Sequence, residues 1–201
     1  SKFIKGLRVT DEKIIDIVEN VLISFNEDIV NSLNEKGLKA IPIHTKNNSI
    51  IKVTPEAKEL GFVGTPEKIN SSYLKKMLEE NIIPIVSPLG LGENNRTYNI
   101  NGDTAAGAIA KSLKSRRLLL MTNVEGVLNK EKKLIEEISS SEILEMIKNE
   151  TITEGMIPKI NTCLDAVNNG VTAVGIIDGR KKHSILFEIF SDKGSGTLIR
   201  K

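Results

Sequence analysis

Cysteine is almost missing from this sequence: Cys163 stands alone among 201 residues. A single thiol excludes an internal disulfide and fits a reducing, cytoplasmic compartment. Tryptophan is absent and aromatic residues make up 3% of the chain, which argues against a base-stacking platform for nucleic acid. Neither sign of charge dominates. Lysine and arginine total 28 against 26 acidic residues, a net charge of +2, so no electrostatic footprint for nucleic acid or a membrane surface is expected. The longest apolar runs, such as Leu118-Leu119-Leu120-Met121, are far too short to span a bilayer. His44 and His183 lie far apart, without acidic or cysteine neighbours at metal-ligand spacing, and read as structural or surface residues; no metal site is expected. There is no G-x-x-x-x-G-K-[ST] loop and no H-E-x-x-H pair. What remains, 39% hydrophobic and 27% charged residues, describes an ordinary globular chain, long enough for one domain or a compact two-lobed one.

The pattern of elements is that of an α/β protein. Thr10-Asp11-Glu12 predicts a helix start, with a capping hydroxyl and acids in the first turn. Ile14, Ile15, Val18, Val21 and Leu22 follow at helical spacing. A second helix is expected over 26–36, stopped by Gly37. Residues 38–43 and 50–53 read as strands joined through Asn47-Asn48 in a hairpin-like excursion. Thr65-Pro66-Glu67 predicts a helix with proline at its first position, ending near Asn81. Residues 82–86 form a short apolar strand weakened by Pro84, and 118–122 a cleaner one. Helices over 140–149, 161–169 and 183–190 alternate with strands over 171–177 and 197–199. Buried strands alternating with helices imply a mainly parallel sheet covered on both faces, with ligands beyond its carboxyl edge.

Four segments carry polar residues where chemistry would be placed. In Tyr98-Asn99-Ile100-Asn101-Gly102-Asp103-Thr104, a strand-like stretch opens a helix rich in alanine and glycine; Asp103 either caps that helix or faces a ligand. Asn123-Val124-Glu125-Gly126-Val127-Leu128 follows a buried strand, as a surface turn or a nucleotide turn. Thr151-Ile152-Thr153-Glu154-Gly155-Met156-Ile157-Pro158-Lys159 runs from a glycine-bearing loop into a helix. Lys159 then stands in a first turn, where the helix dipole disfavours a cation. A phosphate held there by dipole and ammonium together makes sense of it; a solvated surface lysine is the plainer alternative. Gly6-Leu7-Arg8-Val9-Thr10 offers Arg8, a planar fork for a carboxylate or simply a solvated side chain. Cys163 is expected to be packed and not nucleophilic.

Taken in order, these segments resemble the acetylglutamate kinase branch of the amino-acid kinase family, nearly from end to end. Gly6-Leu7-Arg8-Val9-Thr10 resembles its "GLRVT". Residues 99–103 resemble "N-[VI]-N-A-D", with Gly102 replacing the usual alanine. Residues 123–128 resemble "D-V-x-G-[VI]-L", with Asn123 in place of aspartate. Residues 155–161 resemble "GMI-x-K-[VI]-N", and Ile177-Asp178-Gly179-Arg180 and Gly194-Ser195-Gly196-Thr197 fit as well. The resemblance implies a three-layer αβα sandwich with a mainly parallel central sheet, lacking its N-terminal strands. Residues 1–98 would be the remainder of an N-acetylglutamate-binding lobe and 99–201 a nucleotide-binding lobe. It implies ATP-dependent phosphorylation of the side-chain carboxylate of N-acetyl-L-glutamate for arginine synthesis, with Mg²⁺ entering as the ATP complex. By position, Arg8 and Asn99 hold the substrate and Lys159 lies on the transferring phosphoryl group. Asp103 orients the catalytic lysines, while residues 123–128 and 151–153 line the nucleotide.

The family's catalytic Lys-Gly-Gly strand and second glycine-rich turn have no counterpart here, and the chain opens on Ser1. The expectation is an N-terminally shortened kinase whose activity, tested alone, is at best residual. Leu186-Phe187-Glu188-Ile189-Phe190 with the Gly-Ser-Gly-Thr ending resembles the arginine-inhibited branch, implying an L-arginine site at Glu188 and Gly194 and a homo-oligomer, dimer or hexamer. Two other readings remain open: a non-catalytic ATP- or arginine-binding regulatory module, and a sister amino-acid kinase.

Overall fold

In a computed structural model, which describes all residues except 1–2, 5–6, 153–155 and 192–193, the chain opens on two short antiparallel strands, β1 (Phe3–Ile4) and β2 (Leu7–Arg8). Helix α1 (Glu12–Asn34) follows, capped by the Asp11 carboxylate, which accepts from the backbone N–H of Lys13 and Ile14 at 3.0 and 2.9 Å. The expected Thr10 hydroxyl cap is not formed. Thr10 is fully buried and paired as backbone: its N–H donates to Leu60 O and its carbonyl accepts from Phe62 N–H. Nor does the helix break at Asn26. Asn26 lies inside α1, and its Nδ2 donates to Ile85 O at 2.8 Å, tying the helix to a strand beneath.

The chain forms two compact units, residues 1–109 and 110–201. In the first, β3 (Ala40–Ile43) pairs in parallel with β6 (Ile83–Val86), and α1 packs on both. Asn47 makes the expected turn, with reciprocal backbone bonds to His44, but no hairpin follows. Instead β4 (Ile51–Pro55) leaves to pair with β5 (Gly64–Ile69) and with β7 (Leu89–Leu91), and β8 (Thr97–Asn99) completes the order β5-β4-β7-β8. The helix expected at Thr65 is therefore strand β5. Pro66, with no N–H to donate, sits on an edge strand beside the β-bulge at Lys52/Val53, where a missing donor is tolerated. Helix α2 (Ser71–Glu79) begins later, capped by the Asn70 side chain.

Helix α3 (Gly102–Leu113) leads into the second unit. There β9 (Arg117–Thr122), β10 (Glu137–Ser139), β11 (Ala173–Asp178) and β12 (Gly196–Arg200) form a sheet of order β10-β12-β11-β9. The β9–β11 and β10–β12 ladders are parallel and β11–β12 is antiparallel. Helices α4 (Ser140–Lys148) and α5 (Ile157–Asn168) cross over between parallel strands, and α6 (Ser184–Phe190) packs on β11. Ile160, Cys163, Ala166 and Val167 recur at helical spacing on α5 and are buried with Val174, Ile176 and Ile177 of β11. The expected packed cysteine is thus core. The fold class is α/β, with parallel ladders joined through helices, as the apolar runs implied.

Candidate active site

The carboxyl ends of β9 and β11 finish level: Asp178 pairs with Thr122, and Gly179 N–H donates to Thr122 O at 2.8 Å. Both strands release their chain at this edge. Asp178 is buried, and its carboxylate accepts from Arg180 Nε, Arg180 Nη2 and the Arg180 backbone N–H, each at 2.9 Å. Those donors stabilise the ionised form and hold its pKa down at about 2, while the Arg180 guanidinium is raised in return. Lys181 reaches across to Glu125 at 3.3 Å and joins the two turns.

The predicted nucleotide turn folds inward after Glu125. Gly126 adopts φ +147°, and a Cβ there would stand 2.5 Å from Thr197 Oγ1. Val127 is buried, and its N–H donates to Thr197 Oγ1 at 2.8 Å. That hydroxyl donates in turn to Ile135 O at 2.7 Å, and Ile135 N–H closes back on Val127 O at 2.9 Å. Residues 124–128 line a cavity of about 630 Å³, closed on its other side by Thr151 and Ile152. The structure thus brings together two segments that the sequence reading assigned to one ligand. Asn123 is exposed and not on the wall; Thr153 and Gly155 lie outside the described residues. Lys130, Lys132 and Met156 also face the cavity, and the sequence reading missed them. The run Asn129-Lys130-Glu131-Lys132-Lys133 was the available signal. An apolar wall of Val124, Leu128, Ile152 and Met156 stands beside two ammonium groups, Lys130 and Lys132, and two carboxylates, Glu125 and Glu150, in the volume range of small-ligand sites.

Lys159 is half-buried in the first turn of α5, one turn beyond Met156 on the cavity wall. The N-terminus of α5 has no side-chain capping bond and no acid in its first turn.

In the first unit, Arg8 is exposed on β2 and Asn99 half-buried at the end of β8. The segment 61–63 lies between their neighbours. Thr10 bridges Gly61 and Val63 bridges Asn99, both in parallel, and Asn99 N–H donates to Phe62 O at 2.9 Å. Two strand spacings, on the order of 10 Å, separate the outer segments. Asp103 stands in the first turn of α3, half-buried, but does not cap it. Asn101 does, its Oδ1 accepting from Thr104 N–H at 3.1 Å. Gly6 of the first motif lies outside the described residues.

Glu188 and Gly194, predicted as one site, do meet. Glu188 Oε2 accepts from Ser195 N–H at 2.9 Å, Arg117 Nη1 lies 3.5 Å from Oε1, and a Cβ on Gly194 would come within 2.7 Å of the carboxylate. Glu136, Glu137 and Arg200 share that cavity of about 250 Å³. His44 is buried near Glu27, at 3.9 Å, and His183 is exposed at the start of α6. Among the described residues no group of three or more His, Cys, Asp or Glu is placed to hold a metal ion, and no helix is long and apolar enough to cross a membrane.

Comparison with known proteins adds a family to this geometry. The amino acid kinase family profile matches residues 1–178. The acetylglutamate kinase of Pelagibacter ubique is 58% identical over 201 residues, all of this chain and 70% of that protein. That of Methylobacterium nodulans is 45% identical over 215 residues, covering all of this chain and 71% of the relative. Among solved structures, N-acetylglutamate synthase from Neisseria gonorrhoeae, complexed with coenzyme A and N-acetyl-glutamate, superposes with a TM-score of 0.90 over all of this chain and 46% of its own. At 23% identity that likeness speaks for the fold alone.

Proposed function

Because the chain belongs to the amino acid kinase family, we propose that it serves the ATP-dependent phosphorylation of the side-chain carboxylate of N-acetyl-L-glutamate, a cytoplasmic step of arginine synthesis. The observation that carries this reading is the 58% identity, over the whole chain, to a protein named acetylglutamate kinase. The chemistry is coherent with the residues. The nucleophile is already a carboxylate and needs no general base. What the reaction demands is alignment of two anions and cations around the transferring oxygens. Arg8 and Asn99 hold the acceptor, Lys159 meets the phosphoryl group and Asp103 orients the lysine. The cavity of residues 124–128, 151 and 152 takes the nucleotide as its Mg²⁺ complex. The apolar wall of Val124, Leu128, Ile152 and Met156 supports a ring-bearing occupant there.

Two further proposals go with it. The carboxylates of Glu136, Glu137 and Glu188 line one small cavity in which Arg117 and Arg200 already pair with Glu188 and Glu137, so the guanidinium of L-arginine would be taken by Glu136 or in exchange for one of those two. Ile17, Val21 and Phe25, four residues apart on α1 and each about 60% or more exposed, support a homo-oligomer in which that stripe is covered.

Calorimetric titration tests the function independently of turnover. N-acetyl-L-glutamate and MgATP should each bind, and L-aspartate and carbamate should not; preferential binding of either of the latter overturns the reading. An acyl-hydroxamate assay then reports whether the acceptor carboxylate is phosphorylated. Titration with L-arginine, repeated on Glu188→Gln, tests the second cavity, which stands only if the native chain binds and the variant does not.

A further inference from the structure

We infer that Thr197, 70 residues downstream of the turn it touches, is a positioning residue for nucleotide binding: its hydroxyl holds the Gly126–Val127 peptide in the shape that forms the cavity wall. The inference rests on the reading of that cavity as the nucleotide site. Thr197 is buried on β12, and its backbone is engaged in the sheet, level with Ile176 of β11. Its side chain does something separate. The oxygen accepts from Val127 N–H at 2.8 Å, and its proton goes to Ile135 O at 2.7 Å. These bonds staple both legs of the excursion over residues 127–135, which carries Leu128, Lys130 and Lys132 into the cavity. Gly126 completes the fit. At φ +147° and with Thr197 Oγ1 2.5 Å from where a Cβ would be, the turn approaches the hydroxyl more closely than any side chain permits.

Removing the hydroxyl leaves the buried Val127 N–H and the half-buried Ile135 carbonyl each short of a partner, so the excursion has to shift to find others. The sheet has no such need, since the β11–β12 ladder is backbone to backbone. The consequence falls on the cavity wall and not on the acceptor-binding segments, which belong to the other unit. A valine at this position has the shape of threonine and neither polar function, while a serine keeps both.

The test is calorimetric titration of the whole chain with MgATP and, separately, with N-acetyl-L-glutamate. Thr197→Val is expected to weaken MgATP roughly five- to tenfold while N-acetyl-L-glutamate binding is unchanged. Thr197→Ser should bind MgATP within about twofold of the native chain. Thr197→Ala, which adds no bulk, replaces the valine variant should that one not fold. Ile143→Val, in the buried face of α4, lowers stability without touching the cavity and should leave MgATP affinity alone. Unchanged MgATP affinity in both hydroxyl-free variants overturns the inference, as does a serine variant as impaired as the valine one. A native chain that binds no adenine nucleotide overturns the nucleotide reading itself, and this inference with it.

Discussion

Asp178 surrenders its proton more readily in the folded chain than in the unfolded one. Hydrogen bonds from the Arg180 side chain, then from its backbone N–H, bring the carboxyl from the ordinary 3.8 down to about 2. A depressed carboxylate contributes stability that is fully present above its unfolded pKa and is lost as pH falls through the folded one. The window is therefore 3.8 to about 2. Urea unfolding across it should show Asp178→Asn less stable than the native chain at the top of the window and converging with it at the bottom; parallel curves would refute the assignment. Gly61 makes a second residue-scale case. It sits at φ +69°, and an added Cβ would run into Thr10 O. Gly61→Ala should cost about 1–3 kcal/mol through that strain, with faster amide exchange at Thr10 and Phe62, whose N–H groups bond across this contact. Neither effect could be read from the sequence, because Gly61 carries no motif and Asp178 shows its ionisation only once Arg180 folds back on it.

Elements were legible where one local signal had one structural meaning. The apolar run over 118–122 and the helices expected over 140–149 and 161–169 correspond to β9, α4 and α5, elements specified without help from a distant partner. Thr65-Pro66-Glu67 is different: proline suits a helix start and an edge strand equally, and pairing with β4 decided for the strand. The first turn of α3 is a half-legible case. Its sequence offered Asp103 as a cap or as a ligand group, and geometry shows Asn101 accepting from the Thr104 N–H. Asn101→Ala should destabilise the chain by about 0.5–2 kcal/mol. Gly102 has nothing within 4 Å of a built Cβ and no positive φ, so Gly102→Ala should stabilise by about 0.4–1 kcal/mol through the unfolded state. Thermal melts of the two variants are expected to move in opposite directions. Thr197 lay beyond reach of the sequence for the converse reason: its partner is a backbone amide 70 residues away, and no pattern of residue types marks such a bond.

At the scale of the whole molecule, the kinase reading assigns Asp103 and Lys159 to the transfer of one phosphoryl group. Groups that act as a unit in catalysis are grossly non-additive. Losing a preorganised cation costs on the order of 10²–10³ in rate, and losing the carboxylate that orients it should cost much of the same, because a misdirected ammonium stabilises little developing charge. A double-mutant cycle with Lys159→Met and Asp103→Asn, followed by acyl-hydroxamate formation, puts this to the test. The double variant should be about as slow as the slower single variant. If the two losses multiply instead, the residues act independently, and Asp103 belongs to the folding of α3 and not to the transfer step. Substrate affinity keeps the interpretation clean: N-acetyl-L-glutamate should bind both single variants as it binds the native chain, since Arg8 and Asn99 are untouched.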